Sequence, residues 1–209
     1  DVLATDQVLN GGSIFWYKNL GNDIFGTQQI IYQFLYVQSE GTNIVDFRYV
    51  DINTDGRKDI VITADEDTGL NTYWFENIDN LGNFGQIQYI GDLDFGYRFY
   101  DLDNDADVDI LRWAPQSNSI YWIENEDSLG TFGTNKLITS NAISMRDAAA
   151  ADFDGDGWLD IVSASVGDNK LAWYKNNTLG ISENDVANFT IYPNPTSGEL
   201  YIESKLPIS

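Results

Sequence analysis

The sequence contains no cysteine and no histidine among its 209 residues. Without cysteine, the chain can form neither disulfides nor a thiolate metal site. Without histidine, it has no imidazole for zinc-dependent hydrolysis or for a Ser-His-Asp triad. These absences exclude several hydrolase chemistries and leave carboxylates as the main candidates for functional groups.

Basic residues are scarce as well, since 11 Lys and Arg stand against 33 Asp and Glu, for a formal net charge of −22. Nucleic acids and anionic membrane surfaces need a basic face, so we expect neither as a partner. No apolar run approaches the roughly 18 residues of a membrane helix, so we expect no membrane insertion. With 43% hydrophobic residues the chain can nevertheless build a sizeable core, unlike a disordered acidic polymer.

What the sequence does have is an acidic frame that occurs three times. Asp or Asn occupies positions 1, 3, 5 and 9 of a nine-residue window, Gly or Ala occupies position 6, and an apolar run follows. The first positions are 50 and then 51 residues apart. We name these windows the first loop (51–59), the second loop (101–109) and the third loop (152–160).

Carboxylates packed this closely repel one another unless a cation lies among them. Calcium suits such a loop because it takes about six to eight oxygen ligands from carboxylates, backbone carbonyls and water. An EF-hand would need flanking helices and a Glu at position 12, where this chain has Ile62, Arg112 and Ser163. The bland alternative is that the windows are Asp/Gly-rich turns between strands, but three copies in register favour calcium.

Position 6 distinguishes the loops, because Ala106 stands where the other two have Gly56 and Gly157. If this position needs a positive φ, Ala costs about 1 kcal/mol there. We therefore expect the second loop to be the least favourable of the three. The third loop has the fullest match to the frame.

The loops belong to a longer repeat. Each ninth position starts a β-type run that leads to a Trp-x-x-Asn segment, at 16–19, 74–77, 122–125 and 173–176. Asp1 has the place of a ninth position, so we expect the chain to open in the middle of a repeat. Extended runs follow the Gly-containing turns at 28–37, 86–90 and 136–139, and others precede the complete loops at 44–50, 97–100 and 142–151.

Four short antiparallel strands per repeat of about 50 residues are typical of a β-propeller blade. We therefore predict an all-β fold: a propeller fragment of about three and a half four-stranded blades, plus a short β tail. The last blade is expected to lack its fourth strand. The repeated Trp is predicted to pack between blades, with an aromatic sugar-binding platform as the alternative.

The three loops, with their Trp-x-x-Asn and Phe-Gly segments, resemble the FG-GAP/VCBS-type repeats of bacterial surface proteins, which are related to the calcium-binding blades of integrin alpha subunits. The resemblance covers residues 1–177 and implies a calcium-binding propeller. The side-chain ligands that it implies are Asp51, Asn53, Asp55, Asp59, Asp101, Asp103, Asp105, Asp109, Asp152, Asp154, Asp156 and Asp160. It also implies backbone carbonyl ligands at Arg57, Asp107 and Trp158.

The composition changes after residue 177, and we predict a linker at 178–184. The Tyr192-Pro-Asn-Pro-x-x-Gly198 motif then looks like the start of a type IX secretion C-terminal sorting domain, which we place at 185–209. That resemblance implies contact with the type IX secretion machinery and a secreted or surface-anchored protein. Extracellular calcium is compatible with loops whose Kd is about 10⁻⁴–10⁻³ M.

The leading functional hypothesis is a non-enzymatic, extracellular calcium-binding propeller for adhesion, with a surface protein or a glycan as its partner. The alternative is a carbohydrate-binding propeller appended to a polysaccharide-degrading enzyme, with Trp113 and Trp158 as candidate sugar contacts. An enzyme that uses paired carboxylates for glycoside hydrolysis is disfavoured, because the loops use nearly all the patterned acids.

Overall fold

The computed structural model describes residues 1–8, 11–34, 43–66, 69–93, 96–176, 189–192 and 201–204. Across these residues the regular structure is β-strand, apart from one short 3₁₀ helix at Pro115–Ser117. None of the helical structure in the described part of the chain has the length or the apolar character to span a membrane. The chain divides into two compact units, Asp1–Phe95 and Gly96–Ser209.

The first unit contains two larger antiparallel sheets and a small hairpin. One sheet has the order β1-β2-β5, and the other has the sequential order β6-β7-β8-β9. The strands are β1 (Val2–Val8), β2 (Gly11–Tyr17), β3 (Asn19–Gly21), β4 (Ile24–Phe25), β5 (Gln29–Gln33), β6 (Asn43–Val50), β7 (Asp59–Glu66), β8 (Gly69–Phe75) and β9 (Gln88–Gly91). The hairpin is formed by β3 and β4.

The second unit contains a four-stranded and a five-stranded sheet, both in sequential antiparallel order. The strands are β10 (Tyr97–Tyr100), β11 (Asp109–Ala114), β12 (Ser119–Ile123), β13 (Lys136–Thr139), β14 (Met145–Ala151), β15 (Asp160–Ser165), β16 (Lys170–Tyr174), β17 (Phe189–Tyr192) and β18 (Tyr201–Ser204). These small, sequentially ordered sheets have the form of propeller blades. The prediction of an all-β propeller fragment with a short β tail is confirmed at the level of its sheets.

The tail contributes to the last of these sheets. Strand β17 pairs with β16 through Leu171 and Phe189, and β18 then pairs with β17. The tail therefore takes the fourth place in this sheet, which was expected to be empty. The linker predicted at 178–184 lies outside the described residues.

One strand begins later than its sequence suggests. The run 142–151 was predicted to be extended, with 148–151 tolerant of either state, whereas β14 begins at Met145 and includes 148–151. The reason is a turn, because the Ala142 amide donates to the Asn118 carbonyl at 2.9 Å and Ser144 has a φ of 51°. A hydrogen bond to a residue of another segment thus delays the start of this strand.

Each unit buries its core between its own sheets. In the first unit, Ile14 of β2 packs in one cluster with Ile60 and Ile62 of β7. In the second unit, Leu111 of β11 packs in one cluster with Ile161 of β15. The middle strands are buried on both faces, as the sequence of β7 shows: its first six residues are all buried. Sheets therefore stack face to face within a unit, as blades must to bury both faces.

The repeated Trp residues contribute to this packing, as predicted for their place in the repeat. Trp16 is only 7% exposed, and its ring lies against Gly82, in the turn that follows β8 of the next sheet. Trp74 is buried as well, and Trp122 is half-buried against the core of the second unit. The packing interpretation of the repeated Trp is therefore favoured over an exposed sugar platform.

Candidate metal centre

Each acidic loop joins the first two strands of a sheet: β6 to β7, β10 to β11 and β14 to β15. Position 6 has a positive φ in all three loops, with 82° at Gly56, 77° at Ala106 and 90° at Gly157. Position 6 therefore does need a positive φ, and Ala106 adopts a conformation that favours glycine.

Position 4 also has a positive φ in every loop, a feature that the sequence reasoning missed. The values are 55° at Thr54, 60° at Asn104 and 79° at Gly155. Asn and Gly tolerate this region, whereas a β-branched Thr is an outlier there. The loop curls tightly because its two left-handed residues, at positions 4 and 6, have a single residue between them. Only the choice of Asn and Gly at position 4 could have signalled this from the sequence.

Within each loop the carboxylates at positions 1 and 5 hold the turn by accepting backbone amides. The position-6 amide donates to the position-1 Asp in all three loops, at 2.9, 3.1 and 3.0 Å. The position-7 amide donates to the position-5 Asp at 2.8, 3.0 and 2.9 Å. Such bonds also occur in ordinary Asp turns, so these bonds alone do not identify a metal site.

The carboxylate of the ninth Asp accepts one backbone amide of its own loop and one of the neighbouring hairpin, and we call this pair of hydrogen bonds the clasp. Asp109 is fully buried, and it accepts the amides of Leu102 and Asn125, each at 3.0 Å. The same pair of bonds recurs around Asp59, with Ile52 at 3.0 Å and Asn77 at 2.8 Å. It recurs again in the third loop between Asp160 and the amides of Phe153 and Asn176. At the start of the chain, Asp1 accepts the Asn19 amide at 2.7 Å.

This clasp explains why the acidic frame and the Trp-x-x-Asn segment recur together. The Asn of each segment is the residue whose amide reaches the ninth Asp. Sequence reasoning used that Asn only to align the repeats and gave it no role. The recurrence of this Asn 16 or 18 residues after the ninth Asp was the available signal.

In the second loop, the structure brings the carboxylates of Asp101, Asp103 and Asp109 within 4.8 Å of one another. Two of their buried oxygens have no hydrogen-bond partner, namely Oδ1 of Asp101 and Oδ1 of Asp103. Both carboxylate oxygens of Asp107 are also without a partner, although this side chain is only 1% exposed. Sequence reasoning assigned Asp107 only a backbone carbonyl, so its buried carboxylate was missed.

The electrostatics of the second loop reflect this concentration of negative charge. Burial raises the pKa of Asp109 to about 7, against the lowering effect of its two backbone hydrogen bonds, and the charges of Asp103 and Asp107 add to the rise. Burial also raises the pKa of Asp107 to about 6; nearby Ser128 opposes the rise, although it is out of hydrogen-bond geometry, and Asp105 adds to it. The pKa of Asp103 is raised, first by burial and then by Asp105.

The first loop is partly neutralised by its own position 7. The guanidinium of Arg57 pairs with Asp55, and its Nε donates to the Asn77 carbonyl at 2.5 Å. Oδ1 of Asn53 is buried without a hydrogen-bond partner. Burial raises the pKa of Asp59 to about 6, and Asp55 and Asp51 contribute further, against the opposing backbone bonds.

The third loop is the most exposed. The carboxylates of Asp152, Asp154 and Asp156 lie within 4.8 Å of one another. Lys175 pairs with two of them, Asp154 and Asp156, with an Nζ–Oδ2 distance of 3.2 Å to Asp156. The structure thus assembles positions 1, 3 and 5 in this loop, whereas it assembles positions 1, 3 and 9 in the second loop. The predicted roles of the carbonyls at Arg57, Asp107 and Trp158 stay predictions.

The two Trp residues proposed as sugar contacts have different environments. Trp113 is 6% exposed and belongs to the core of the second unit, so it is not an exposed sugar platform. Trp158, at position 7 of the third loop, is half-buried.

A comparison of the whole chain with curated proteins gives no significant match. Residues 101–163 match the family model described as an FG-GAP-like repeat. The matched segment runs from the first residue of the second loop into β15, so it includes both the second and the third loop. The part of the chain that holds these two acidic loops is therefore similar to an FG-GAP-like repeat.

Proposed function

We propose that this protein is an extracellular binding module of blade-like sheets that calcium stabilises, and that it has no catalytic activity of its own. The observation that carries the proposal is the set of buried, unpartnered oxygens of Asp101, Asp103 and Asp107 in the second loop. Buried anionic oxygens without a partner are costly, and each needs an explanation in a folded protein. A bound cation would offset that cost.

The donor set fits calcium better than other common metals. The side chains gathered in the second loop offer only carboxylate oxygens, from Asp101, Asp103 and Asp109. Hard cations prefer such ligands, whereas zinc prefers nitrogen and sulfur. Magnesium demands near-ideal octahedral geometry and dehydrates reluctantly, while calcium accepts a flexible shell of about six to eight oxygens.

The role that we propose for calcium is structural. Each loop lies between the first two strands of its own sheet, and its ninth Asp ties the loop to the hairpin. A cation that binds the folded loop and not the unfolded chain stabilises the fold by mass action. This makes the aspartates part of the scaffold and leaves recognition to other surfaces.

Thermal unfolding tests this proposal directly. The melting temperature should rise by several degrees from EGTA to millimolar calcium, and less with the same concentration of magnesium. A gain of about 2.7 kcal/mol is expected when free calcium is about 100 times Kd. A melting curve that does not move with calcium would refute the proposed cation.

We further propose that the protein is exported by the type IX machinery and is secreted or held at the cell surface. The support is the sequence motif in the tail, at residues 192–198, which lies almost entirely outside the described residues. Removal of residues 185–209 should leave the protein inside the cells of its host. Cell fractionation and protease treatment of intact cells would measure this, and unchanged export of the shortened chain would contradict it.

The proposed lack of enzymatic activity rests on how the recurring carboxylates are used. Positions 1 and 5 accept amides of their own loop, and position 9 accepts an amide of the neighbouring hairpin. These bonds support a structural role for the aspartates. A polysaccharide panel would test this part of the proposal. It would be overturned if the protein hydrolysed any of these polysaccharides and if Asp101→Asn abolished that hydrolysis while the protein stayed folded.

A glycan is the second candidate for the bound partner. The first unit has a cleft of about 310 Å³ whose lining includes Tyr49, Asn77 and Asn80, a combination of an aromatic ring and amides that suits a sugar. Tyr49 is exposed, so Tyr49→Ala should weaken glycan binding without unfolding the protein. Titration calorimetry with a polysaccharide that binds on an array would measure it; equal binding by the variant would exclude this cleft.

A further inference from the structure

The residue two places after the repeated Trp differs between the loops. It is Glu76 beside the first loop, Glu124 beside the second and Lys175 beside the third. In each repeat it lies next to position 3 of its loop. Asn53 donates to Glu76 at 3.2 Å, Glu124 interacts with the charge of Asp103, and Lys175 pairs with Asp154.

In the third loop this residue supplies a positive charge to the acidic centre. The Lys175 ammonium pairs with Asp154 and Asp156, which are two of the three carboxylates gathered there. The Lys175 side chain is 29% exposed, so it is partly withdrawn from solvent. A monovalent cation of the chain itself thus lies where a calcium ion would have to bind.

In the second loop the equivalent residue has the opposite charge. Glu124 is paired with Lys136, whose ammonium lies 4.1 Å from the centre of the Trp122 ring, and so this lysine is engaged outside the loop. Oδ1 of Asp103 and both carboxylate oxygens of Asp107 remain buried without hydrogen-bond partners. The second loop therefore has uncompensated negative charge, while the third loop has an internal counter-ion.

We propose that Lys175 acts as that internal counter-ion, so that the second loop binds calcium first and the third loop binds it more weakly. This inference rests on the proposed function. Calcium entering the third loop must displace the ammonium from two carboxylates and then remain close to a like charge. In the second loop no lysine or arginine among the described residues is paired with the gathered carboxylates of Asp101, Asp103 and Asp109, so the ion has no ammonium to displace. The expected order of affinity is the reverse of the order of match to the acidic frame.

The amides at position 6 give a separate reporter for each loop, because each donates to the position-1 carboxylate. The amides of Ala106 and Gly157 report on the second and third loops. A calcium titration of the full chain, followed by ¹H–¹⁵N NMR, should shift the Ala106 resonance at a lower calcium concentration than the Gly157 resonance.

Substitution of the lysine then tests its role. Lys175→Gln should lower the calcium midpoint at Gly157 by about tenfold or more, since a unit charge a few ångströms from the ion is removed. The midpoint at Ala106 should stay unchanged. Lys175→Arg keeps the charge and should leave both midpoints near their original values.

Two further variants complete the test: one is a control for the loss of a lysine, and the other makes the reciprocal charge change in the second loop. Lys170→Gln removes the same charge from the same sheet, but Lys170 pairs with Asp168 at 2.9 Å, so the Gly157 midpoint should not move. Glu124→Lys places an ammonium beside Asp103 and should raise the midpoint at Ala106 about tenfold. The reciprocal variant reports on the same idea even if Lys175→Gln folds poorly.

The outcomes separate this inference from the proposal on which it rests. If Gly157 responds at the same or a lower calcium concentration than Ala106, or if Lys175→Gln behaves like Lys170→Gln, the counter-ion role is refuted while calcium binding stands. If none of the position-6 amides responds up to about 10 mM calcium, well above the range of extracellular modules, calcium binding itself is refuted.

Discussion

At the scale of single residues, the ninth Asp of each loop has the largest structural role. Asp109 is fully buried and satisfies two backbone amides, those of Leu102 and Asn125, which belong to different segments. A buried donor that loses its acceptor costs about 1–3 kcal/mol. The carboxylate therefore stabilises the sheet even before any cation is considered.

We predict that Asp109→Ala lowers the free energy of unfolding by about 2–4 kcal/mol in EGTA, because two buried amides lose their acceptor. Urea unfolding followed by Trp fluorescence would measure this loss. Asp105→Ala is the matched control, since Asp105 is exposed and holds only the Asp107 amide. Equal losses for the two variants would contradict the clasp.

Ala106 provides a second test at this scale. Its φ of 77° is one that glycine adopts without cost, so Ala106→Gly should raise the free energy of unfolding by up to about 1 kcal/mol. Gly157→Ala should lower it by a similar amount, since a Cβ there meets no atom within 4 Å and only the φ of 90° is strained. Thermal unfolding in EGTA would show both shifts, and a destabilising Ala106→Gly would contradict the interpretation.

At the scale of elements, the contact between Trp16 and the turn at Gly82 holds two sheets of the first unit together. A Cβ on Gly82 would lie 2.0 Å from Cζ2 of Trp16, which no side chain can tolerate. The same Leu-Gly turn occurs one repeat earlier at Gly21, where a Cβ would meet nothing within 4 Å. The two glycines thus share a motif and a positive φ but differ in packing.

We predict that Gly82→Ala destabilises the protein by at least about 2 kcal/mol, through φ strain and displacement of the Trp16 ring. Gly21→Ala should cost only about 1 kcal/mol, from φ strain alone. Urea unfolding would compare the two variants. The contact between the sheets would be refuted if both glycines gave the same loss.

The sequence predicted the elements well where strands alternate with turn residues, and less well where the backbone takes unusual angles. The strand pairs around each loop follow from the β-type runs after the ninth Asp, and they are confirmed. The predicted start of β14 was wrong by three residues. The strand begins at Met145, because the amide of Ala142 donates to the carbonyl of Asn118 in another segment. Long-range hydrogen bonds of this kind leave no local pattern.

At the scale of the whole molecule, acidic charge dominates the expected response to pH. The pKa values of Asp59 and Asp109 are raised from 3.8 to about 6 and about 7, chiefly by burial. The folded chain therefore binds more protons than the unfolded chain between about pH 4 and pH 7. Without a cation, ionised Asp59 and Asp109 lower the stability of the folded chain. This loss of stability is absent below the ordinary pKa and is fully present above the raised pKa values.

We predict that in EGTA the free energy of unfolding rises as the pH falls from 8 to 5. In saturating calcium it should instead fall with the pH, because the ligands must be ionised to bind. Urea unfolding at both pH values would measure the two slopes. The rise in EGTA should persist in about 0.5 M salt. Such salt screens the general repulsion of a chain with a net charge of −22, whereas the effect of the buried aspartates is local. A stability in EGTA that falls on acidification would contradict this prediction.

The sequence by itself determined the repeat, the strand-rich sheets and the places of the acidic loops. These features depend on the local spacing of Asp, Gly and apolar residues, which the chain carries wherever it folds. The carboxylates gathered in the second and third loops were all among the predicted ligands, because a turn of this length has few ways to curl.

Only the tertiary structure decided how the three loops differ. In the first loop the charge partner is local, since Arg57 pairs with Asp55, whereas in the third loop Lys175 lies far in sequence from Asp154. Burial sets which carboxylates remain unpaired, as at Asp107. The loop with the poorer match to the frame thus has the uncompensated charge, and the loop with the best match holds its own cation. Electrostatics depend on distance in space, and spacing along the chain does not reveal that distance.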